Sequence, residues 1–147
     1  MLNAGVLAIG NELLNGEVRD LNVYTLSRRL TQLGFVVGPA VIVRDHGERI
    51  ARALQFLLSR NPSVLIVSGG LGPTQDDRTL AAIADALDRP LTVNEEAGNM
   101  VEAHYERLLA QGHLAHRGPE AARVKMATLP TGSEPLYNPI GTAPGVR

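Results

Sequence analysis

The sequence predicts an α/β fold, a mostly parallel sheet with helices on both faces, and three observations predict it. Short apolar runs rich in β-branched residues occur at 6–9, 35–43 and 64–67. Between them lie stretches whose apolar residues recur every three or four positions, the period of an amphipathic helix. The runs lack the apolar–polar alternation of a sheet with one wet face, so both faces are expected to be covered. Strand and helix taking turns in this way is the pattern of a parallel sheet.

In order, Val6-Leu7-Ala8-Ile9 reads as the first strand, and Gly10 closes it into a loop, residues 11–16, that carries the acid Glu12. Val23, Leu26, Leu30 and Leu33 then mark one face of a helix, with Arg28, Arg29 and Gln32 turned outward and Gly34 placed to end it. Residues 35–43 are β-rich, but Gly38-Pro39 breaks them, which predicts an interruption or bulge rather than one smooth central strand. This strand leads into Arg44-Asp45-His46-Gly47. Ile50, Leu54, Leu57 and Leu58 define the buried side of a second helix that ends near Asn61-Pro62. Val64-Leu65-Ile66-Val67 is expected to be the central strand, buried on both faces. After a loop, Leu80, Ile83, Ala84 and Leu87 share a face of a third helix.

That loop, Ser68-Gly69-Gly70-Leu71-Gly72-Pro73-Thr74-Gln75-Asp76-Asp77-Arg78-Thr79, is the stretch around which the chain is organised. Its glycines let the backbone come close to a ligand and turn N–H groups inward. The helix behind it presents the positive end of its dipole, which favours an anion such as phosphate. Asp76 and Asp77 stand at the mouth of this cradle, a pairing that makes chemical sense when a hard cation such as Mg²⁺ bridges acid and phosphate. The same residue types equally fit an aspartate capping the next helix. The loop has neither the third glycine of a dinucleotide fingerprint nor the Gly-Lys-Ser/Thr ending of a P-loop. In a parallel sheet, ligands bind outside the carboxyl ends of the strands, so Glu12, Asp45, Asp76 and Asp77 are expected to converge on one edge.

The second half is less regular. Residues 95–109 can form a helix on Val101, Tyr105, Leu108 and Leu109, with Gly98 weakening its start. His113 and His116 are expected in a loop and have no further ligands at zinc spacing. Residues 120–126 suit a short helix from which Arg123 and Lys125 either reach a phosphate or face water. The stretch 136–145 is rich in Pro and Gly yet uncharged, which predicts a shaped loop lining a pocket rather than a solvated tail.

Composition narrows the function classes. At 147 residues a single domain is expected, long enough to bury about two-thirds of its unfolded surface. A net charge of −1 gives no basic field for nucleic acid or an anionic membrane. Three tyrosines and two phenylalanines are too few for a base-stacking platform. The absence of cysteine rules out disulfides and thiolate metal sites and suits a reducing compartment. With no signal-like start and no apolar run of spanning length, a cytoplasmic protein is expected.

The residues assembled so far resemble the N-terminal domain of the CinA (competence/damage-inducible) proteins, a branch of the molybdopterin-binding superfamily. The resemblance rests on Gly10-Asn11-Glu12-Leu13-Leu14-Asn15-Gly16-Glu17, the Gly-Gly-Leu-Gly-Pro-Thr-Gln-Asp-Asp-Arg-Thr segment, Glu95-Glu96-Ala97, and Asn138-Pro139-Ile140-Gly141-Thr142-Ala143-Pro144-Gly145. It covers essentially the whole chain. It implies a three-layer α/β/α fold, a homo-oligomer (dimer or trimer), and hydrolysis of the ADP-ribose diphosphate with a divalent metal. The superfamily's key acids match Asp45 and Asp77, and its glycine loop matches Gly69, Gly70 and Gly72. Asn11 stands where Thr or Asp is usual and Asp20 where Asn is usual, while Asn22 is retained. The family domain continues past Pro144-Gly145 into another strand and a Leu-Pro-Gly loop, which the chain is expected to lack.

The leading expectation is therefore a metal-dependent pyrophosphohydrolase acting on ADP-ribose or a similar nucleoside diphosphate compound. Asp45, Asp76 and Asp77 would hold Mg²⁺ or a similar ion, or one of them would orient the attacking water. Gly69, Gly70, Gly72, Thr74 and Thr79 would hold the diphosphate, with Lys125 reaching it from across the cleft. Glu12, Asn138, Gly141 and Thr142 complete the expected ligand set. One alternative is molybdopterin binding with adenylyl transfer to the pterin. The other is a nucleotide- or pterin-binding assembly domain without turnover.

Overall fold

The computed structural model describes residues 1–147. They form two compact units, Met1–Gly70 and Leu71–Arg147, each with its own secondary structure and packing.

The first unit is a parallel sheet of three strands, β1 (Asn3–Ile9), β2 (Val36–Val43) and β3 (Val64–Ser68), in the order β2-β1-β3. A short helix α1 (Asn11–Leu14) follows β1; α2 (Asn22–Gln32) and α3 (Gly47–Leu58) are the crossovers. Side chains alternate across a strand, so the two faces of β1 take different helices. Ala4 and Val6 cluster with Leu30 of α2, flanked by Val23, Leu26 and Val37. On the opposite face, a side chain at Gly5 would meet Leu65 of β3 at 3.1 Å and Leu57 of α3 at 3.5 Å. Helix, sheet and helix make the three α/β/α layers.

Two details depart from the sequence reading. The strand in the middle is β1, where Ala4, Val6, Leu7, Ala8 and Ile9 are all buried. β3 lies at the edge of this sheet and is half-buried throughout. An apolar run signals burial but not strand order, and the small residues Ala4, Gly5 and Ala8 suit the position where helices close in from both sides. Leu33 lies one residue beyond α2 and is 72% exposed, outside the stripe assigned to it. The bulge is where the sequence places it: the β1–β2 register passes from Ala4↔Val37 to Val6↔Ala40, setting Gly38-Pro39 against Gly5. Proline has no N–H to give a ladder, so the extra residue falls there.

The second unit contains α4 (Thr79–Ala86), β4 (Leu91–Val93), α5 (Glu95–Ala110), α6 (Glu120–Met126), β5 (Thr128–Pro130), β6 (Pro135–Leu136) and β7 (Gly145–Val146). β4 pairs with β5 and β6 with β7, both antiparallel. Ala97 of α5 packs with Ala127 and Leu129, joined by Leu80 and Val146. Leu87 falls outside α4 and is 45% exposed, because Ala82 and Ala84 with Thr79 turn inward instead. No helix is long and apolar enough to cross a membrane.

The start of α5 is firmer than Gly98 suggested. Asn94 accepts a hydrogen bond from the Ala97 N–H at 2.9 Å, and Glu95 and Glu96 place negative charge at the positive end of the helix. Asn94→Ala should cost about 1 kcal/mol of stability, read as a lower thermal midpoint with an unchanged circular-dichroism spectrum.

Candidate functional site

In the first unit, the carboxyl ends of the three strands gather the first group of predicted residues. The Gly10 N–H donates to the Val43 carbonyl at 3.1 Å, so the loops after β1 and β2 leave the sheet side by side. The Asp45 N–H donates to Asn11 Oδ1 at 3.3 Å, and Arg44 Nη1 donates to Asn15 Oδ1 at 2.8 Å. Glu12 folds back so that its carboxylate covers the α-carbon of Gly10. On the other side of β1, Gly69 packs against the Ile9 carbonyl with φ +104°. Glu12, Asp45, Gly69 and Gly70 therefore share one sheet edge.

Both departures from the family pattern have structural work here. Asn11 ties the first loop to Asp45. Asp20 accepts from the N–H groups of Asn22 at 2.8 Å and Val23 at 3.2 Å, which caps α2. Asn22 in turn donates to Ser68 Oγ at 3.0 Å, binding the start of α2 to the end of β3.

In the second unit the glycine loop is braced from within. Asp77 Oδ2 accepts from the Thr74 N–H at 2.8 Å and from Thr74 Oγ1 at 2.5 Å. A Cβ at Gly72 would lie 2.8 Å from that same oxygen, so only glycine lets the carboxylate tuck in. Asp77 thus organises its own turn and does not cap α4, whose N-cap is Arg78 without a side-chain bond. Thr74 spends its hydroxyl on Asp77. Thr79, expected to donate to phosphate, is 1% exposed inside α4 and faces the protein. Asp76 is exposed. Lys125 Nζ donates to the Thr74 carbonyl, which places the chain's only lysine against the loop. Arg123 is committed elsewhere, to Glu102 at 2.6 Å and to the carbonyls of Arg117 and Gly118.

The segment 137–144 is a loop held between β6 and β7. Asn138 Oδ1 accepts from the N–H groups of Ile140 at 3.0 Å and Gly141 at 3.1 Å, and its Nδ2 donates to the Ala143 carbonyl at 2.9 Å. Asn138 is thus the loop's internal brace. Thr142 Oγ1 leans on Met126 Sδ at 3.5 Å. Together with Leu71 and Gly72 this loop walls an open cleft of about 540 Å³, the size of small-molecule sites.

Behind the loop stands a residue the sequence reading missed. His104 of α5 is 7% exposed, and Arg107 Nη2 donates to its Nδ1 at 2.7 Å. Burial, and then the Arg107 charge, hold its pKa below the usual 6.5. The available signal was spacing: Ala97, Val101 and His104 continue one buried stripe, whereas Tyr105 lies beside it. His113 and His116 stay on the surface, and within neither unit do three acids or histidines gather to hold a metal ion.

Comparison with known proteins places these loops in context. The family model described as "Probable molybdopterin binding domain" matches residues 5–147. Protein TK1472 of Thermococcus kodakarensis is 43% identical over 142 residues, covering 97% of this chain and 57% of the relative. Protein PH0439 of Pyrococcus horikoshii is 42% identical, over 97% of this chain and 56% of its own length. The chain thus spans little more than half of these relatives. Among solved structures, the CinA protein of Thermoplasma acidophilum, described as of unknown function, matches with a TM-score of 0.82 and 33% identity, over 98% of this chain and 79% of that one. The tungsten-cofactor synthesizing protein MoaB of Pyrococcus furiosus matches in fold, with a TM-score of 0.58 at 21% identity, over 79% of this chain and 70% of that one. The strand–glycine-loop–helix unit, the braced 137–144 loop and these matches agree: the chain belongs to the molybdopterin-binding domain family, on its CinA branch.

Proposed function

We propose that the chain binds molybdopterin, a phosphorylated pterin, rather than hydrolysing a nucleoside diphosphate. The observation that carries this reading is the cleft walled by Leu71, Gly72 and the 137–144 loop, in a chain matching that family from residue 5 to residue 147. Pro139, Pro144 and Leu136 give the cleft apolar walls for a planar ring. The glycine loop and Lys125 supply backbone N–H groups and a compact positive charge for the phosphate. Adenylyl transfer to the bound pterin would use the same cradle with ATP.

The hydrolytic reading asks Asp45, Asp76 and Asp77 to surround a divalent ion. Asp77 already spends one oxygen on Thr74, and Asp76 and Asp77 find no third acid within their own unit. An ion held by these acids would neutralise phosphate charge.

The test is calorimetric titration with molybdopterin and with ADP-ribose, each with Mg²⁺ and with EDTA, followed by mass spectrometry of the products. Molybdopterin should bind and ADP-ribose should be recovered intact. AMP and ribose phosphate from ADP-ribose, without pterin binding, would overturn the proposal in favour of hydrolysis. Lys125→Met should weaken molybdopterin binding about tenfold, the value of one partly exposed charge-assisted hydrogen bond, and leave a dephosphorylated pterin unaffected.

A further inference from the structure

His104 and Arg107 sit three residues apart on α5, and arginine can only donate hydrogen bonds. The 2.7 Å contact therefore makes His104 Nδ1 an acceptor and fixes the ring as neutral, with its proton on Nε2. The same guanidinium donates through Nη1 to the Tyr137 hydroxyl at 3.3 Å. Tyr137 is the residue before Asn138, and the His104 ring lines a small cavity with Asn138, Gly141 and Thr142. Imidazole and guanidinium thus form a two-member latch between α5 and the 137–144 loop.

The groups around the ring decide what a proton would do. From α5 come Met100 and Arg107; from the loop come Tyr137, Asn138 and Thr142; α6 reaches the loop through Met126. Neither the cavity wall nor these contacts includes a carboxylate. Glu102 and Glu106 of α5 are taken by Arg117 and Arg123. A protonated His104 would present an N–H, and a charge, to a guanidinium that offers the same.

We propose that His104 is a positioning residue that makes the order of the 137–144 loop depend on pH, and with it ligand affinity. With His104 neutral, Arg107 holds Tyr137 and the loop against α5. Protonation breaks the Arg107 contact, frees Tyr137 and loosens the loop. The inference rests on the reading that this loop walls the ligand site. The sign follows from a pKa lowered in the folded chain: the latch is fully closed above about 6.5 and is lost as pH falls through the lowered value.

The experiment follows the backbone amides of Gly141 and Gly145 and the His104 ring by NMR through a pH titration of the ligand-free chain. Molybdopterin affinity is measured in parallel at about pH 7.5 and about pH 5.5, the range in which histidine changes charge. The loop amides should titrate with the His104 ring, and affinity should fall between the two pH values by less than tenfold, since a ring held below 6.5 is only partly protonated at the lower one. His104→Gln, which can still accept from Arg107 but cannot protonate, should abolish both responses and keep the affinity seen at the higher pH. Thermal melting of both chains confirms that each is folded. If the loop amides follow the ring while no pterin binds at either pH, the latch stands and the ligand reading fails. Loop amides that ignore the His104 titration, or an unaltered pH response in His104→Gln, would overturn the latch itself.

Discussion

Gly69→Val is expected to leave no folded first unit, or one destabilised by about 3 kcal/mol or more, a large part of a domain's whole stability. Two causes add. The backbone at Gly69 has φ +104°, which a branched side chain resists. Its Cβ would also fall inside the Ile9 carbonyl oxygen and within 3.3 Å of the Ile9 Cβ, on the middle strand of the sheet. That oxygen belongs to backbone and cannot swing aside. Gly16→Ala separates the causes: φ there is +73°, but no atom lies within 4 Å. It should cost only about 1 kcal/mol, the strain alone. Urea unfolding of the three chains decides the matter; equal midpoints for Gly69→Val and Gly16→Ala would mean that the Ile9 contact does not limit the loop.

Asn138→Ala should have the largest effect on binding. It removes the three hydrogen bonds that shape the 137–144 loop, each worth about 1 kcal/mol net. The loop then has to be ordered by the ligand, and affinity should drop about a hundredfold, near 3 kcal/mol. Asn138→Asp keeps the two accepted bonds from Ile140 and Gly141 and loses only the donor to Ala143. Its loss should be about tenfold. Melting should fall by no more than the lost bonds are worth, with both chains still folded, since Asn138 contributes to neither core. Calorimetric titration gives the ladder; parental affinity in Asn138→Ala would remove the loop from the site.

The sequence and the structure agree where the physics is local. Gly38-Pro39 announces its bulge because proline cannot feed a ladder, and the Val23, Leu26, Leu30 stripe announces its helix. Disagreement begins where tertiary placement decides. Nothing in Val64-Leu65-Ile66-Val67 says that β1, not β3, has a neighbour on each side. The strands β4 to β7 are two or three residues long and are made by pairing alone, so no periodicity marks them. In the candidate site, the chain positions carrying polar side chains were legible, but not their direction. Asp77, Asn138 and Thr74 read as ligand contacts because they are polar and lie in glycine-rich loops. The structure turns all three back into those loops as braces, and turns Thr79 into the interior. His104 went unread because a buried histidine with an arginine partner looks, in sequence, like any polar residue on a helix.

Lys125 carries the chain's only ε-amine, and that amine rests on the Thr74 carbonyl at the lip of the glycine loop. Arginines supply all the other side-chain positive charge, and they do not react with acylating reagents as amines do. This chain therefore carries a built-in footprinting handle: apart from the N-terminus, an amine-selective acyl reagent has a single point of attack, and the extent of its reaction reads how open the lip of that loop is.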